Sequence, residues 1–334
     1  MKKTRAQIVV VSGASAGVGR ATALAFAKEG AAVALLARCA ERLQAAADEI
    51  TALGGKALVI PVDVADAEQV NQAAARVEEE FGPIDVWVNN AMVTVLSRAL
   101  EMTAEEYRRV TEVSYLGTVH GTLAALKRMR IHNRGTIVQV GSALAYRGIP
   151  LQSAYCAAKF AVRGFTDSVR VELIYERSPI HLTMVQLAAF NTPQFQWARH
   201  RMSAQPQPLP PIFQPELAAK AIVWAAKHRR RELYVGFPAL KTIIGNKLFP
   251  GLADRMAARQ GFTGQMDLSV PPPAAQRDDN LFTPVPGDFA SHGRFDDRAT
   301  NWSLQYWLSI HRQTLLGLLL LFITLGLVLA FFID

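Results

Sequence analysis

Seven short apolar runs recur along the first 262 residues, and each is bounded by Gly, Pro, Asp or Asn. The runs read QIVVVSG, AAVALLA, ALVIPVD, IDVWVNN, GTIVQVG, IHLTMVQ and ELYVG. Ala-rich stretches such as ATALAFAKEG and ERLQAAADEITALGG separate them. Continuous apolar strands that alternate with helices are typical of a parallel sheet covered on both faces. The pattern therefore predicts a single α/β domain over residues 1–262, built as a doubly wound parallel sheet of the Rossmann type.

The composition changes after residue 262. Residues 263–312 are rich in Pro, Gly and Asp, as in PPPAAQRDDN and FTPVPGDFASHGRFDDR, and show little periodicity. We interpret this segment as a linker, which as a disordered chain would span roughly 40 Å on average. The sequence does not decide between that extended chain and one that packs along the body of the domain.

The remaining residues, 313–334, have the pattern of a membrane anchor. The run TLLGLLLLFITLGLVLAFFI, residues 314–333, contains twenty residues without a charge. A helix of that length crosses the ~30 Å hydrocarbon layer at ~1.5 Å per residue. It is apolar all round, whereas a core helix needs only an apolar stripe. The upstream aromatic residues Trp302, Tyr306 and Trp307 are placed where an interfacial belt would lie.

The charges that flank this run suggest its orientation. His311 and Arg312 precede the run and only Asp334 follows it. Because the positive side of a span tends to stay in the cytoplasm, we expect a single-pass C-terminal anchor with the catalytic domain facing the cytoplasm. The N-terminal apolar run, residues 8–11, is too short for a signal peptide and is interpreted as a buried strand.

The charge balance argues against a nucleic-acid partner. The net charge is +8, but the basic residues are scattered. The densest run, KHRRR at 227–231, follows the apolar pattern AAKAIVWAA and fits the solvated end of a helix. Without an aromatic-interleaved basic stripe, no nucleic-acid binding is predicted, and a membrane surface is the better match. Cys39 and Cys156 form neither a disulfide framework nor a metal-ligand spacing, so no metal site is predicted.

A glycine-rich turn follows the first apolar run. It reads SGASAGVGR, residues 12–20, and a helical pattern follows it. Gly13, Gly17 and Gly19 permit positive φ angles or a close approach of the backbone to a phosphate. The N-terminus of the following helix offers N–H groups and a partial positive charge. In this strand–turn–helix context the motif predicts a dinucleotide site.

The residues after the second and third runs bear on which dinucleotide binds. Arg38 stands where dinucleotide folds place an acid for the ribose of NAD or an Arg for the 2′-phosphate of NADP. Because no acid occurs before Glu41, we predict NADP(H), with an ordinary surface charge as the alternative for Arg38. Asp63 could accept a hydrogen bond from the adenine amino group. It could also cap the next helix, for which Asp66 is the other candidate.

Together these pieces resemble the short-chain dehydrogenase/reductase family over about residues 5–240. The matching residues are the glycine motif at 12–19, Asn89-Asn90-Ala91 at the fourth strand, and Ser142, Tyr155 and Lys159 as the catalytic set. The resemblance implies an oxidoreductase with a nicotinamide cofactor. The cofactor contacts expected from it are Gly13, Ser15, Gly17, Val18, Gly19, Arg38, Asp63, Val64, Asn90, Tyr155, Lys159 and Thr192.

The chemistry accounts for the spacing in SAYCAAKF, residues 153–160. Carbonyl reduction needs a proton for the developing alkoxide, and Tyr155 is the predicted donor. A free phenol titrates near pH ~10, and a nearby cation favours the phenolate. Lys159 at i+4 lies on the same helix face, and the resemblance implies that it also reaches the nicotinamide ribose. Ser142 is expected to hydrogen-bond the substrate oxygen. Taken alone, the pair also fits a half-buried aromatic and a solvated charge.

Three positions depart from the family pattern. Ser114 stands where the family often has an Asn that holds a water relaying protons to the Lys, so Ser114 is a shorter candidate relay residue. Met92 follows Asn89-Asn90-Ala91 in place of Gly. Leu187-Ala188 replaces the usual Pro-Gly after strand six, although Thr192 is kept.

Two functions follow from these observations. The first is an NADP(H)-dependent oxidoreductase that interconverts a carbonyl and a secondary alcohol on a small, apolar substrate drawn from the bilayer. The second is a membrane-tethered NADP-binding sensor or scaffold with little turnover, for which the three departures argue. Residues 189–213 are expected to cover the substrate. Residues 236–256 shape the pocket, rest on lipid or simply pack against the domain, and the sequence does not decide among these. The sequence leaves assembly into a homo-oligomer open.

Overall fold

The computed structural model of the protein describes residues 5–271, 277–317 and 324. Most of the predicted anchor, 314–333, lies outside these residues. Among the described residues, no helix is both long and apolar enough to span a bilayer.

The central sheet is parallel, and each of the seven apolar runs supplies one of its strands. The strands are β1 Ile8–Ser12, β2 Ala32–Ala37, β3 Lys56–Pro61, β4 Val86–Asn89, β5 Thr136–Ser142, β6 His181–Leu187 and β7 Glu232–Val235. Their order across the described sheet is β7-β6-β5-β4-β1-β2-β3, with parallel pairing throughout. The prediction of a doubly wound parallel sheet is confirmed. The strand order reverses between β1 and β4, so the crevice at their carboxyl ends is where such sheets bind ligands.

Helices cover both faces of the sheet. They are α1 Gly17–Lys28, α2 Ala40–Ala52, α3 Ala67–Phe81, α4 Ala104–Thr111, α5 Gly117–His132, α6 Ser153–Tyr175, α7 Pro215–Lys227, α8 Phe237–Leu248, α9 Pro250–Gln260 and α10 Leu304–Ile310. A π-helical segment, Glu112–Leu116, joins α4 to α5. A single helical turn occupies Gln194–Trp197. Two-residue strands pair Val95–Leu96 with Arg199–His200, Gln205–Pro206 with Met266–Asp267, and Ile212–Phe213 with both Ala189–Phe190 and Ala299–Thr300.

Strand β1 shows why its apolar run is continuous. Val9 and Val11 pack in the core beneath α1, α2 and α7, whereas Ile8 and Val10 pack in the core beneath α3, α5 and α6. Successive side chains of a strand point to opposite faces, and here both faces are covered. All four side chains are therefore buried.

The start of α3 settles which of the two aspartates is the cap. The side chain of Asp66 accepts hydrogen bonds from the backbone N–H groups of Glu68 at 2.9 Å and Gln69 at 3.0 Å. These are donors that a helix N-terminus leaves without an intrahelical partner. Asp63 is thereby left for other contacts at the end of β3.

The described part of segment 263–312 packs along the body of the domain. Phe295 is fully buried against Phe195 and Ile212. Tyr306 joins the core beneath α1 and α7, and Ala299–Thr300 extends a small sheet with Ile212–Phe213. The sequence leaves open whether this segment is an extended chain or packs along the domain. The described residues of the segment pack along the domain.

Candidate active site

A cavity of about 1020 Å³ lies at the carboxyl ends of the central strands. Its wall includes the predicted residues Gly13, Ser15, Gly17, Val18, Arg38, Asp63, Val64, Asn90, Ser142, Tyr155, Lys159 and Thr192. The fold thus brings residues from seven separate stretches of the sequence to one continuous surface. Two predicted site residues, Gly19 and Ser114, lie behind that surface.

The glycine turn is a tight connection between β1 and α1. Gly13 has φ +67° and Gly17 has φ +58°, in the left-handed region that favours glycine. A Cβ atom on Gly13 would lie 2.8 Å from the Cα atom of Ala91. A Cβ atom on Gly19 would lie 2.1 Å from the carbonyl oxygen of Gly13, so Gly19 lets α1 approach the turn. Asn90 fastens the turn to β4, because its Nδ2 donates to the carbonyl of Ser12 at 3.1 Å.

Tyr155 and Lys159 lie on α6 beside the end of β5. Lys159 is almost fully buried, and its Nζ donates to the carbonyl oxygen of Val140 at 2.7 Å. Its Nζ lies 5.5 Å from the centroid of the Tyr155 ring. Burial lowers the pKa of Lys159 to about 8. The alternative of a solvated lysine is therefore wrong.

The pKa of Tyr155 does not shift as the sequence predicts. Burial raises it well above its ordinary value, and a hydrogen bond with Ser142 offsets only part of that rise. Desolvation penalises the phenolate, and the Lys159 ammonium is engaged by a backbone carbonyl. Tyr155 therefore holds its proton at neutral pH. Ser142 itself is buried, and its Oγ accepts from the backbone N–H of Leu144 at 3.1 Å.

Ser114 lies in the π-helical segment and is not among the described residues that line the cavity. Its side chain is fully buried. The hydroxyl donates to the carbonyl oxygen of Val93 at 2.9 Å and accepts from the N–H of the same residue at 3.0 Å. Ser114 thus fixes the backbone that follows β4, and its role as a relay residue stays a prediction. The other two departures, Met92 and Leu187, both line the cavity.

The end of the cavity beside Arg38 and Asp63, here called the distal end, is crossed by residues from the C-terminal segment. The Arg38 guanidinium donates to the carbonyl oxygens of Asn280 at 2.5 Å and Phe282 at 2.7 Å. Burial, together with the nearby positive charge of Arg109, lowers the pKa of Arg38. Asp63 accepts from Arg109 at 2.5 Å, and its other oxygen accepts from the N–H of Ala65 at 3.0 Å. Both predicted residues already have partners within the chain.

Arg42 is a site residue that sequence reasoning missed. It lines the cavity and is nearly fully buried, with its guanidinium carbon 4.9 Å from the Trp197 ring centroid and 5.5 Å from that of Phe289. Its Nε is buried without a hydrogen-bond partner among the described residues. A signal existed, since Arg42 stands in the first turn of α2, where the helix dipole disfavours a cation.

A buried amide network supports the end of β4. Asn89 Oδ1 accepts from Trp87 Nε1 at 2.8 Å, and Asn89 Nδ2 donates to Gln139 Oε1 at 2.9 Å. Gln139 Nε2 donates in turn to the hydroxyl of Thr122 at 2.8 Å. These hydrogen bonds connect β4, β5 and α5 to one another. They thereby fix the end of β4, which positions Asn90.

The opposite end of the cavity is mostly apolar. Its wall includes Phe190, Leu209, Phe213, Phe237, Phe249, Leu252 and Met256. The first three come from residues 189–213, expected to cover the substrate, and the others from 236–256, for which shaping the pocket was one alternative. Polar groups here are fewer. Arg147 is held by Asp254 of α9 at 2.7 Å, and Asn246 of α8 donates to the carbonyl of Tyr146 at 2.8 Å. This geometry suits an apolar molecule oriented by a small number of polar contacts.

The short chain dehydrogenase family model matches residues 7–203, and the chain therefore belongs to that family of oxidoreductases. The family resemblance predicted from the motifs is confirmed. The matched region ends well before the C-terminal segment that crosses the distal end.

Individual relatives agree with this assignment. The uncharacterized oxidoreductase YxnA of Bacillus subtilis is 37% identical over 258 residues, which are 77% of this chain and 72% of that protein. An alcohol dehydrogenase from the archaeon Thermococcus sibiricus, solved in complex with 5-hydroxy-NADP, is 27% identical with a TM-score of 0.61, covering 69% of this chain and 96% of the other. A short-chain dehydrogenase/reductase from Burkholderia phymatum, solved with NAD, shares the fold at 24% identity, with a TM-score of 0.68 and coverage of 75% of this chain and 96% of the other.

Proposed function

We propose that the protein is an NADP(H)-dependent oxidoreductase that interconverts a carbonyl and a secondary alcohol on a small, apolar molecule. One observation carries this proposal. The same cavity wall joins the glycine turn, including Gly13 and Gly17, to Ser142, Tyr155 and Lys159.

The residues of the cavity fit a nicotinamide dinucleotide. The backbone at Gly13 leaves no room for a larger side chain, Gly17 has a positive φ, and the buried Nε of Arg42 has no partner in the described chain. The N–H of Gly17 donates to the carbonyl of Ala290, so the N–H groups of α1 that follow Gly17 would hold the pyrophosphate. Lys159 would hold the nicotinamide ribose and Thr192 the carboxamide. When bound, such a cofactor gives or takes the hydride.

Tyr155 handles the proton at the substrate oxygen. The phenol is protonated at neutral pH, as an ordinary phenol is, so it can donate as a carbonyl is reduced; burial raises its pKa and makes it the weaker acid. The alkoxide formed is a stronger base than the phenolate and takes the proton from the Tyr155 Oη. Ser142 Oγ, which shares a hydrogen bond with Tyr155, orients the carbonyl oxygen. Lys159, with a pKa of about 8, stabilises the phenolate once it forms.

Two arginines support NADP(H) over NAD(H). Arg38 and Arg42 both line the distal end, and the chain has no acid between β2 and Glu41. A guanidinium fork matches a phosphate group well. The Thermococcus enzyme was solved with an NADP derivative and the Burkholderia enzyme with NAD, so direct titration is the test for this chain.

The apolar wall and the C-terminal sequence together support a substrate dissolved in a membrane. Exposed apolar side chains on α8, on α9 and between them extend the apolar end of the cavity outward, among them Leu248, Phe249 and Leu252. We propose that residues 314–333 anchor the chain as a single span, with the catalytic domain in the cytoplasm. Carbonate extraction checks this, because the full chain should stay with the membranes while a chain ending at Arg312 should be released. Protease that reaches the domain from outside sealed cells would reverse the orientation.

A panel of ketones and secondary alcohols, followed by NADPH absorbance, tests the enzyme function directly. Turnover of apolar ketones, with NADPH preferred to NADH, is the expected result. The second candidate is an NADP-binding sensor with little turnover. The engagement of the Ser114 hydroxyl by Val93 favours it, because that hydroxyl is then not free to hold a relay water. Tight NADPH binding without turnover of any panel member would support the sensor.

A further inference from the structure

Residues 277–296, here called the strap, cross the distal end of the cavity. Backbone carbonyls of the strap accept hydrogen bonds from three elements of the family domain. Arg38 after β2 binds the carbonyls of residues 280–282, and Arg42 of α2 binds that of Val285. The N–H of Gly17, at the start of α1, donates to the carbonyl of Ala290 at 3.0 Å. The strap is thus bound to the residues expected to contact a dinucleotide.

Side chains fix the strap at both ends. Asp279 accepts from Arg199 Nε at 2.7 Å, and Asp288 accepts from Arg20 at 2.5 Å. Arg20 is almost fully buried, so this ion pair is shielded from water on one side. Leu281 is also fully buried and packs in the core beneath α3 and α5. The strap therefore has a defined position.

Asn280 has a buried side-chain acceptor that no described residue engages. Its backbone N–H donates to the carbonyl of Trp197 at 3.0 Å, and its carbonyl accepts from Arg38. The side chain lines the cavity, and its Oδ1 is buried without a hydrogen-bond partner within the described chain. A buried amide oxygen left in this way costs stability unless a ligand satisfies it.

Both carboxylate oxygens of Asp63 are already engaged by the chain. One accepts from Arg109 and the other from the backbone N–H of Ala65, as described above. Asn280 lies on the same cavity wall and offers an adenine amino group an acceptor that no described residue engages.

We propose that the strap completes the cofactor site and that the side-chain amide of Asn280 pairs with the adenine ring. An amide presents an acceptor and two donors, which match the amino group of adenine and the ring nitrogen beside it. This proposal rests on the proposed function, since it requires an adenine dinucleotide. It assigns adenine recognition to a segment outside the region that the family model matches.

The test measures binding directly, with quenching of the intrinsic tryptophan fluorescence as the readout, since Trp197 lines the cavity. The full chain is titrated with NADPH and with its etheno-adenine analogue, in which the amino hydrogens are lost. Wild type should bind NADPH roughly tenfold more tightly than the analogue. Asn280→Leu should weaken NADPH binding by a similar factor and leave the analogue unchanged. The backbone contacts that hold residue 280 do not depend on its side chain.

Asp278→Leu is the matched control, because Asp278 is an exposed residue of the same strap. It should leave both affinities unchanged. If Asn280→Leu fails to fold, Asn280→Asp takes its place. The aspartate keeps the acceptor and loses the donors, so its affinity for NADPH should fall by less than the factor expected for Asn280→Leu.

Two results would overturn the proposal. One is equal discrimination between NADPH and the analogue in wild type and the Asn280 variants. The other is tighter NADPH binding in Asn280→Leu, since the strap would then compete with the cofactor. A wild-type chain that binds no NADPH at all would instead remove the proposed function.

Discussion

The ammonium of Lys159 on α6 lies 2.7 Å from the carbonyl oxygen of Val140 on β5. This hydrogen bond fixes a lysine in a nearly dry position beside Tyr155, and burial lowers its pKa from an ordinary value of 10.5 to about 8. The burial of this charge has a measurable consequence for stability.

Lys159 should make stability depend on pH in the alkaline range. Between pH 8 and 10.5 the unfolded chain binds this proton and the folded chain does not, so the free energy of unfolding rises with pH. The difference is worth roughly 3 kcal/mol across that window. The free energy of unfolding should be measured for wild type and Lys159→Met at pH 7.5 and pH 10. Between these two pH values, the free energy of unfolding of wild type should rise relative to that of the variant. Lys127→Met, at an exposed site on α5, should show no such change. Parallel pH profiles for wild type and Lys159→Met would contradict the burial of the charge.

Tyr155→Phe should remove at least about a hundredfold of the turnover while NADPH binding stays close to wild type. The ring and its packing survive the change, and only the hydroxyl that supplies the proton is lost. Steady-state rates and fluorescence titration measure the two effects separately. Tyr175→Phe is the control, because Tyr175 is exposed at the end of the same helix. Full activity in Tyr155→Phe would refute the catalytic assignment.

Ser114→Asn should lower the thermal unfolding temperature and leave turnover no higher. The site is fully buried, so the larger amide must displace its neighbours, at a cost of typically 1–3 kcal/mol. Ser114→Ala should also destabilise, because it leaves the N–H and carbonyl of Val93 without their partner. Calorimetry together with steady-state rates distinguishes the outcomes. An unchanged unfolding temperature with faster turnover in Ser114→Asn would restore Ser114 as a relay position.

Arg38→Asp should reverse or flatten the preference for NADPH over NADH. The variant loses the guanidinium fork and gains an acid that can accept from the ribose diol. Because Arg38 also holds the strap, Asp288→Asn serves as a control that weakens the strap alone. It should change both affinities by the same factor and leave their ratio intact. Equal affinities for NADPH and NADH in wild type would remove the basis of the prediction.

The sequence was most informative where burial is continuous. Each of the seven apolar runs became a strand, because residues such as Val9 and Val10 meet a covered face on either side. The proximity of Tyr155 and Lys159 was also predictable, since helical spacing alone places them on one face of α6, and their catalytic role stays a prediction.

Contacts between distant segments were not predictable. The engagement of Ser114 depends on where Val93 lies after β4, and local sequence does not encode that position. The pKa of Tyr155 depends on desolvation by neighbours from several elements, which outweighs the nearby cation. The Pro- and Asp-rich strap has no periodicity to reveal its place. Its position follows from contacts with Arg20, Arg38 and Arg42, and nothing in the sequence indicates that these arginines bind residues 277–296.

The strap also bears on the order in which the protein matures. Asn280 and Arg38 are 242 positions apart, and Asp288 and Arg20 are 268 apart. During synthesis the sheet can assemble as its strands emerge, because domains begin to fold from the N-terminal side. The distal end of the cavity must wait until the ribosome has released the strap. A nascent or prematurely terminated chain ending near residue 262 would therefore leave Arg20 without Asp288 and Arg42 without the carbonyl of Val285.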